Sequence, residues 1–235
     1  MENLFFKPWI GENYLSTGIS GKKILVLGES HICGEGCSDC GNSTEHPECN
    51  VFTNNAVKYF LNYKSGKGEF ERWMNTFTKF GNVFYNKSLS SDETVSFWNS
   101  IAFYNYVQYS TDKSRVSPRN DEFAKSSTAF FEILQSYKPD IVFVWGERLW
   151  DQLPDGGEFG EEISVENVNS GRLYYYSIDQ NRIPIYMVNH PSSSAFNYSW
   201  HTFMNKAVEF SNYSGRLLSF CNQALTCNTA LSMAG

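Results

Sequence analysis

Four short apolar runs, each ending on polar residues, constrain this chain more than any other feature. Lys23-Ile24-Leu25-Val26-Leu27-Gly28 leads into Glu29-Ser30-His31, and Ile101-Ala102-Phe103-Tyr104 leads into Asn105. Ile141-Val142-Phe143-Val144-Trp145-Gly146 and Pro184-Ile185-Tyr186-Met187-Val188 follow, the last ending at Asn189-His190-Pro191. A continuous run of this length, rich in branched side chains, is how a strand covered on both faces reads. Between the runs, apolar residues recur at helical spacing over Phe52 to Leu61, Phe70 to Phe80 and Glu122 to Tyr137. The last of these is closed by Lys138-Pro139. A short helix is expected over Glu147 to Leu153, an edge strand or hairpin over Leu173 to Ile178, and a long helix from Asn197 to Phe220. The stretches Ser110 to Asn120 and Pro154 to Gly171 read as loops. Strands alternating with helices in this way predict an α/β fold: three α/β/α layers around a central four-stranded parallel sheet. Such folds bind ligands at the carboxyl ends of their strands, where the polar residues gather.

The length of 235 residues fits one domain, expected over 1–220, with 221–235 as a tail. With 41% hydrophobic and 17% aromatic residues, a disordered chain is excluded. No apolar run approaches the ~20 residues that span a bilayer. The opening MENLFFKPWIGEN lacks the basic and apolar regions of a signal peptide, so a cytoplasmic protein without a membrane partner is expected. A net charge of −6 argues against a general polyanion binder, leaving only a local basic cleft to meet nucleic acid. Neither G-x-G-x-x-G nor G-x-x-x-x-G-K-[ST] occurs, so the usual nucleotide cradles are absent.

Cys33, Cys37, Cys40 and Cys49 form a C-x3-C-x2-C-x8-C run, loosened by Gly34, Gly36 and Gly41. In a reducing compartment such crowding favours a metal over disulfides. Four thiolates suit a structural zinc, because no position is left for a catalytic water. His46 is a substitute ligand, and an iron–sulfur cluster accepts the same donors.

Taken in order, these pieces resemble the uracil-DNA glycosylase superfamily over residues 22–210. Gly28-Glu29-Ser30-His31-Ile32-Cys33-Gly34 resembles the catalytic-loop motif GQDPYHG, and Phe52-Thr53 stands where the family has its base-stacking Phe-Ser. Tyr104-Asn105-Tyr106-Val107 resembles LNxV, whose Asn reads the pyrimidine edge. Val144-Trp145-Gly146 matches a WG strand end, and His190-Pro191-Ser192-Ser193-Ser194 resembles HPSPLS. The resemblance implies a monomeric DNA glycosylase that flips a base into a pocket and cuts its glycosidic bond. In that reading Phe52 stacks on the base and Asn105 reads its edge. His190 stabilises charge on the leaving base, and Ser192 and Ser194 hold phosphates. Phe196 and Tyr198 wedge into the base stack. Phosphate contact also falls to the Lys113, Arg115 and Arg119 loop.

Two departures stand out. The family's water-activating Asp aligns with Ser30, which leaves Glu29, Ser30 or His31 to position or activate water. The Tyr that crowds the pyrimidine C5 position aligns with Ile32, and the following His with Cys33. A smaller aliphatic side chain leaves room for a C5 substituent. Asn105 accepts uracil or cytosine according to how its amide is oriented. The expected substrate is a modified pyrimidine, such as the glucosylated 5-hydroxymethylcytosine of phage DNA. A uracil repair enzyme and a non-cutting nucleic-acid-binding or partner-binding protein are the rivals.

Overall fold

The computed structural model describes residues 1–33, 47–111, 116–168 and 172–211. In chain order the strands are β1 (Trp9–Ile10), β2 (Ile24–Gly28), β3 (His31–Ile32), β4 (Ala102–Asn105), β5 (Ser110–Thr111) and β6 (Ile141–Trp145). β7 (Glu158–Phe159), β8 (Leu173–Ile178) and β9 (Asn181–Val188) complete them. The helices are α1 (Phe52–Lys64), entered through a 3-10 turn at Pro47–Val51, α2 (Met74–Phe84) and α3 (Ser91–Asn99). After them come α4 (Asn120–Lys125), α5 (Ser127–Tyr137), α6 (Glu147–Trp150) and α7, which is helical over 199–211.

The main sheet runs β1-β4-β2-β6-β9-β8-β7. β4, β2, β6 and β9 are parallel neighbours, whereas β1, β8 and β7 add antiparallel edges. Every residue of β2 and β6 is buried, as the unbroken apolar runs require. Side chains alternate across the sheet. Ile24, Val26, Phe103, Phe143 and Trp145 pack toward α1, α2, α3 and α7, in one core with Phe60, Phe77, Phe97 and Phe203. Leu25, Leu27, Tyr104, Val142 and Val144 pack on the opposite face with Phe123 of α4, Phe130 and Ile133 of α5 and Leu149 of α6. Three layers result.

The expected four-stranded sheet is corrected to seven strands, because only its parallel part carries a buried apolar run. The three added strands lie at the edges. Of these β8 is the expected strand over 173–178, joined to β9 by a two-residue turn with Asp179 and Gln180 both at positive φ (46° and 66°). Two left-handed residues match the twist of a tight hairpin. β1 and β7 are two residues each. The helix expected over 122–137 is broken at Ser126, whose Oγ donates to Glu122 O at 2.7 Å and accepts from Gln108 N at 2.9 Å. The helix expected over 70–80 is shifted to α2, and α3 is additional. Ser90 and Glu93 cap α3 reciprocally, with Ser90 N donating to Glu93 Oε2 at 2.8 Å. Within the expected loops, Ser110–Thr111 and Glu158–Phe159 form strands. Positions 212–220 of the expected terminal helix and the 221–235 tail lie outside the described residues.

The chain passes from β2 to β4 on one side and then to β6 on the other side of β2. That reversal opens a crevice at the carboxyl ends of β2 and β6.

Candidate functional site

A cavity of about 1090 Å³ occupies that crevice, walled by α1 and α2. Eight of the residues singled out in the sequence line it: Glu29, Ser30, His31, Ile32, Phe52, Asn105, His190 and Ser192. They come from four separate segments, brought together because each follows a buried strand or opens a helix.

The floor is set by β2 and β4, which place Gly28 and Asn105 as register partners. A Cβ at position 28 would fall 2.2 Å from Asn105 Oδ1, so only glycine leaves room for that amide. Beyond the strand ends the segments stay coupled: Tyr106 N donates to Gly28 O at 2.9 Å and Val107 N to Glu29 O at 2.8 Å. A second, two-stranded sheet of β3 and β5 then pins His31 against Ser110 and Ile32 against Thr111.

His31 is buried, with its Nδ1 3.1 Å from Asn105 Nδ2 and its Nε2 3.0 Å from Thr53 Oγ1. Its ring packs on Phe6 and Phe52 at centroid distances of 4.3 and 4.9 Å. Removal from water pushes its pKa down to about 3, so the ring is neutral. His31, expected to touch substrate or water, instead has both nitrogens engaged by Asn105 and Thr53. Phe52 opens α1 and lines the cavity beside it. Ile32 is half exposed at the rim.

His190 follows β9. Gly146, at φ 95°, brings the β6 end against it: a Cβ there would lie 3.4 Å from His190 Cβ. Ser192 N donates to His190 Nδ1 at 3.2 Å, and Ser192 Oγ lies 2.7 Å from the same nitrogen. A ring nitrogen that accepts from a backbone N–H carries no proton, so a neutral His190 keeps its proton on Nε2. That N–H has no partner among the described residues. Burial pushes the His190 pKa down, opposed by the charge of Glu29 and reinforced by that of Arg148. The loop after it is anchored by Ser193 N donating to His190 O at 2.8 Å and by Lys79 Nζ donating to Ser193 O at 2.6 Å.

Glu29 has both carboxylate oxygens held by Arg148 of α6, Nε to Oε1 at 2.6 Å and Nη2 to Oε2 at 2.5 Å. Arg148 is the one cation lining the cavity among the described residues. Sequence reasoning missed it, although its place just past a buried strand end was a usable signal. Thr53 was read only as part of Phe52-Thr53. Tyr59 and Trp73, stacked at 6.5 Å, extend the cavity wall and were also missed.

Other expectations fare differently. Phe196 cannot act as a wedge: it is fully buried between Phe80 and Trp200, with centroids 6.1 Å from each. Tyr198 is exposed on the same loop, and Ser194 is exposed beside it, but neither lines the cavity. Arg119 is ion-paired to Asp121 and Glu122 at 3.1 and 3.0 Å, while Lys113 and Arg115 lie outside the described residues. Cys33 is buried and its N–H donates to Thr111 O at 3.0 Å, and Cys49 is half-buried in the 3-10 turn. Cys37, Cys40 and His46 lie outside the described residues. Among those described, no group of three or more His, Cys, Asp or Glu could hold a metal ion. No helix among the described residues is long and apolar enough to cross a membrane.

No family model matches the chain, and no curated protein matches it.

Proposed function

We propose that this chain is a DNA glycosylase of the uracil-DNA glycosylase type, a monomer acting in the cytoplasm on a modified pyrimidine. The observation that carries the reading is the pairing, in one cavity, of Asn105 with a His190 whose neutral ring keeps its proton on Nε2. Cleavage of the glycosidic bond leaves the electron pair on the base nitrogen and a cation-like sugar, which water then attacks. Negative charge spreads to the base carbonyl oxygens, where a fixed N–H donor in a dry site is most effective. Phe52 supplies the ring face and Asn105 the edge contacts. Arg148 occupies both oxygens of Glu29, so Glu29 is an electrostatic partner rather than the base, and Ser30 is left to orient water. The cavity, at about 1090 Å³, lies at the roomy end of the ~300–1,000 Å³ of small-molecule sites, and Ile32 lines it where the family has a larger Tyr. Both features favour a bulky C5 substituent such as a glucosylated hydroxymethyl group over plain uracil.

A zinc held by Cys33, Cys37, Cys40 and Cys49 would brace the segment between β3 and α1. It supplies folding energy rather than chemistry, since four thiolates leave no open position. Cys33 and Cys49, both free of disulfides, suit that role.

The rival reading is a non-cutting nucleic-acid or partner binder, favoured by Ser30 in the aligned Asp position and by the occupied oxygens of Glu29. The deciding assay incubates the protein with duplex and single-stranded DNA containing uracil, cytosine, 5-hydroxymethylcytosine or its glucoside. Alkaline strand cleavage then reports abasic sites. Cleavage at the glucosylated base is expected. Cleavage at uracil alone would make it a repair enzyme, and none at any base would leave the binder. Metal content measured on the same preparation tests the zinc.

A further inference from the structure

A side-chain amide presents a donor beside an acceptor, and the two pyrimidine edges require opposite orders. Uracil offers an N3–H next to a C4 carbonyl, whereas cytosine offers a bare N3 next to a C4 amino group. An Asn free to rotate by half a turn reads both. Asn105 is not free. Its Nδ2 is 3.1 Å from His31 Nδ1, and its Oδ1 lies against the Gly28 α-carbon, 2.2 Å from where a Cβ would stand. The Gly28 contact sets the orientation, and the His31 contact fits it when Nδ1 carries no proton. An amide oxygen against an α-CH₂ is a favourable weak contact, whereas an NH₂ group there would point a donor at a donor. Turned the other way, the amide would lose the Gly28 contact and would meet His31 only with the ring proton moved to Nδ1.

The lock depends on what holds His31. The ring is 3% exposed, enclosed by Phe6 and Phe52, and its own backbone oxygen accepts from Thr111 Oγ1 at 3.3 Å. Because Asn105 donates to Nδ1, the ring proton is on Nε2 and is donated to Thr53 Oγ1 at 3.0 Å. A continuous chain runs from the amide to the first turn of α1. We infer that His31 is a positioning residue that fixes the Asn105 amide and thereby restricts the cavity to one of the two pyrimidine edges. This rests on the glycosylase reading for its consequence on bases, but not for the arrangement itself.

The test has two arms. In the first, long-range ¹H–¹⁵N correlation spectra of the full-length protein at pH 7 report which nitrogen of His31 is protonated, without any substrate. The Nε2–H form is expected, and an Nδ1–H form overturns the inference. In the second, abasic-site formation is compared on matched oligonucleotides carrying uracil-type and cytosine-type bases with the same C5 substituent. The wild type is expected to favour one edge, and His31→Leu to narrow that ratio by at least ~10-fold. His31→Gln, which keeps an acceptor for Asn105 and a donor for Thr53, is expected to restore it. Should His31→Leu not fold, Thr53→Val removes the Nε2 partner with little change in shape and is expected to narrow the ratio in the same direction. An unchanged ratio in folded variants overturns the inference while the glycosylase reading stands. No excision of any base by the wild type overturns that reading and the edge restriction with it, and the spectra then decide the positioning alone.

Discussion

Arg148 binds Glu29 with two parallel hydrogen bonds across the crevice between β2 and β6, Nε to Oε1 at 2.6 Å and Nη2 to Oε2 at 2.5 Å. The strands that lead into them, β2 and β6, are neighbours, but 119 positions separate the two residues. Both charges act on His190 with opposite sign: Glu29 raises its pKa and Arg148 lowers it. Removing one partner therefore exposes the other. Arg148→Ala should move the His190 titration to higher pH, and Glu29→Gln should move it lower. An NMR titration of the His190 ring protons checks this, and shifts of the same sign in both variants would refute the charge coupling.

Gly28 and Asn105 share a register position, and a methyl at 28 would sit 2.2 Å from the amide oxygen. The amide cannot retreat while His31 holds its nitrogen. Gly28→Ala should destabilise the protein by about 1–3 kcal/mol, as overpacking does, and reduce excision with the fold retained. In an Asn105→Ala background the same change should cost less, because the obstructing oxygen is gone. Urea denaturation of the two single variants and the double variant measures the difference. Additive costs would mean that the contact does not matter.

Much of this site was legible because buried strands announce themselves. Runs such as Ile24–Gly28 and Ile141–Trp145 locate strand ends without any tertiary information, and Glu29, Asn105 and His190 follow from them. What escaped has physical reasons. β1, β3, β5 and β7 are two residues long, too short to display a period, and exist only because a partner strand passes by. The pairing of Arg148 with Glu29 depends on β6 lying beside β2, which a local pattern does not contain. Phe196 shows the reverse case. An aromatic in a polar loop reads as exposed, yet Phe80, distant in sequence, and Trp200, four positions on, enclose it.

Acid should weaken the fold through His31. Its ordinary pKa of 6.5 falls to about 3 on burial. Between those values the unfolded chain binds a proton that the folded one refuses, so stability falls as pH drops below ~6.5, by at most about 1.4 kcal/mol per pH unit. Above pH 6.5 both states are neutral and this contribution is constant. His190, also held low by burial, adds in the same direction. Urea midpoints at pH 7, 5.5 and 4.5 should show a shallower acid slope for His31→Gln than for the wild type. Equal slopes would mean that His31 is protonated in the folded protein.

Phe196 and Tyr198 lie two positions apart and should separate stability from DNA contact. Phe196 has no exposed surface and packs between rings of α2 and α7, so Phe196→Ala should cost about 3–5 kcal/mol. Its effect on DNA would then follow from unfolding. Tyr198 is 47% exposed and borders no buried cluster, so Tyr198→Ala should leave stability within about 0.5 kcal/mol. If this loop enters the base stack, Tyr198 is the ring that does so, and its loss should raise KM on duplex DNA more than on single strands, where no stack must be opened. Denaturation curves for both variants and steady-state excision by Tyr198→Ala make the comparison. Equal KM changes on the two DNA forms would remove Tyr198 from base flipping.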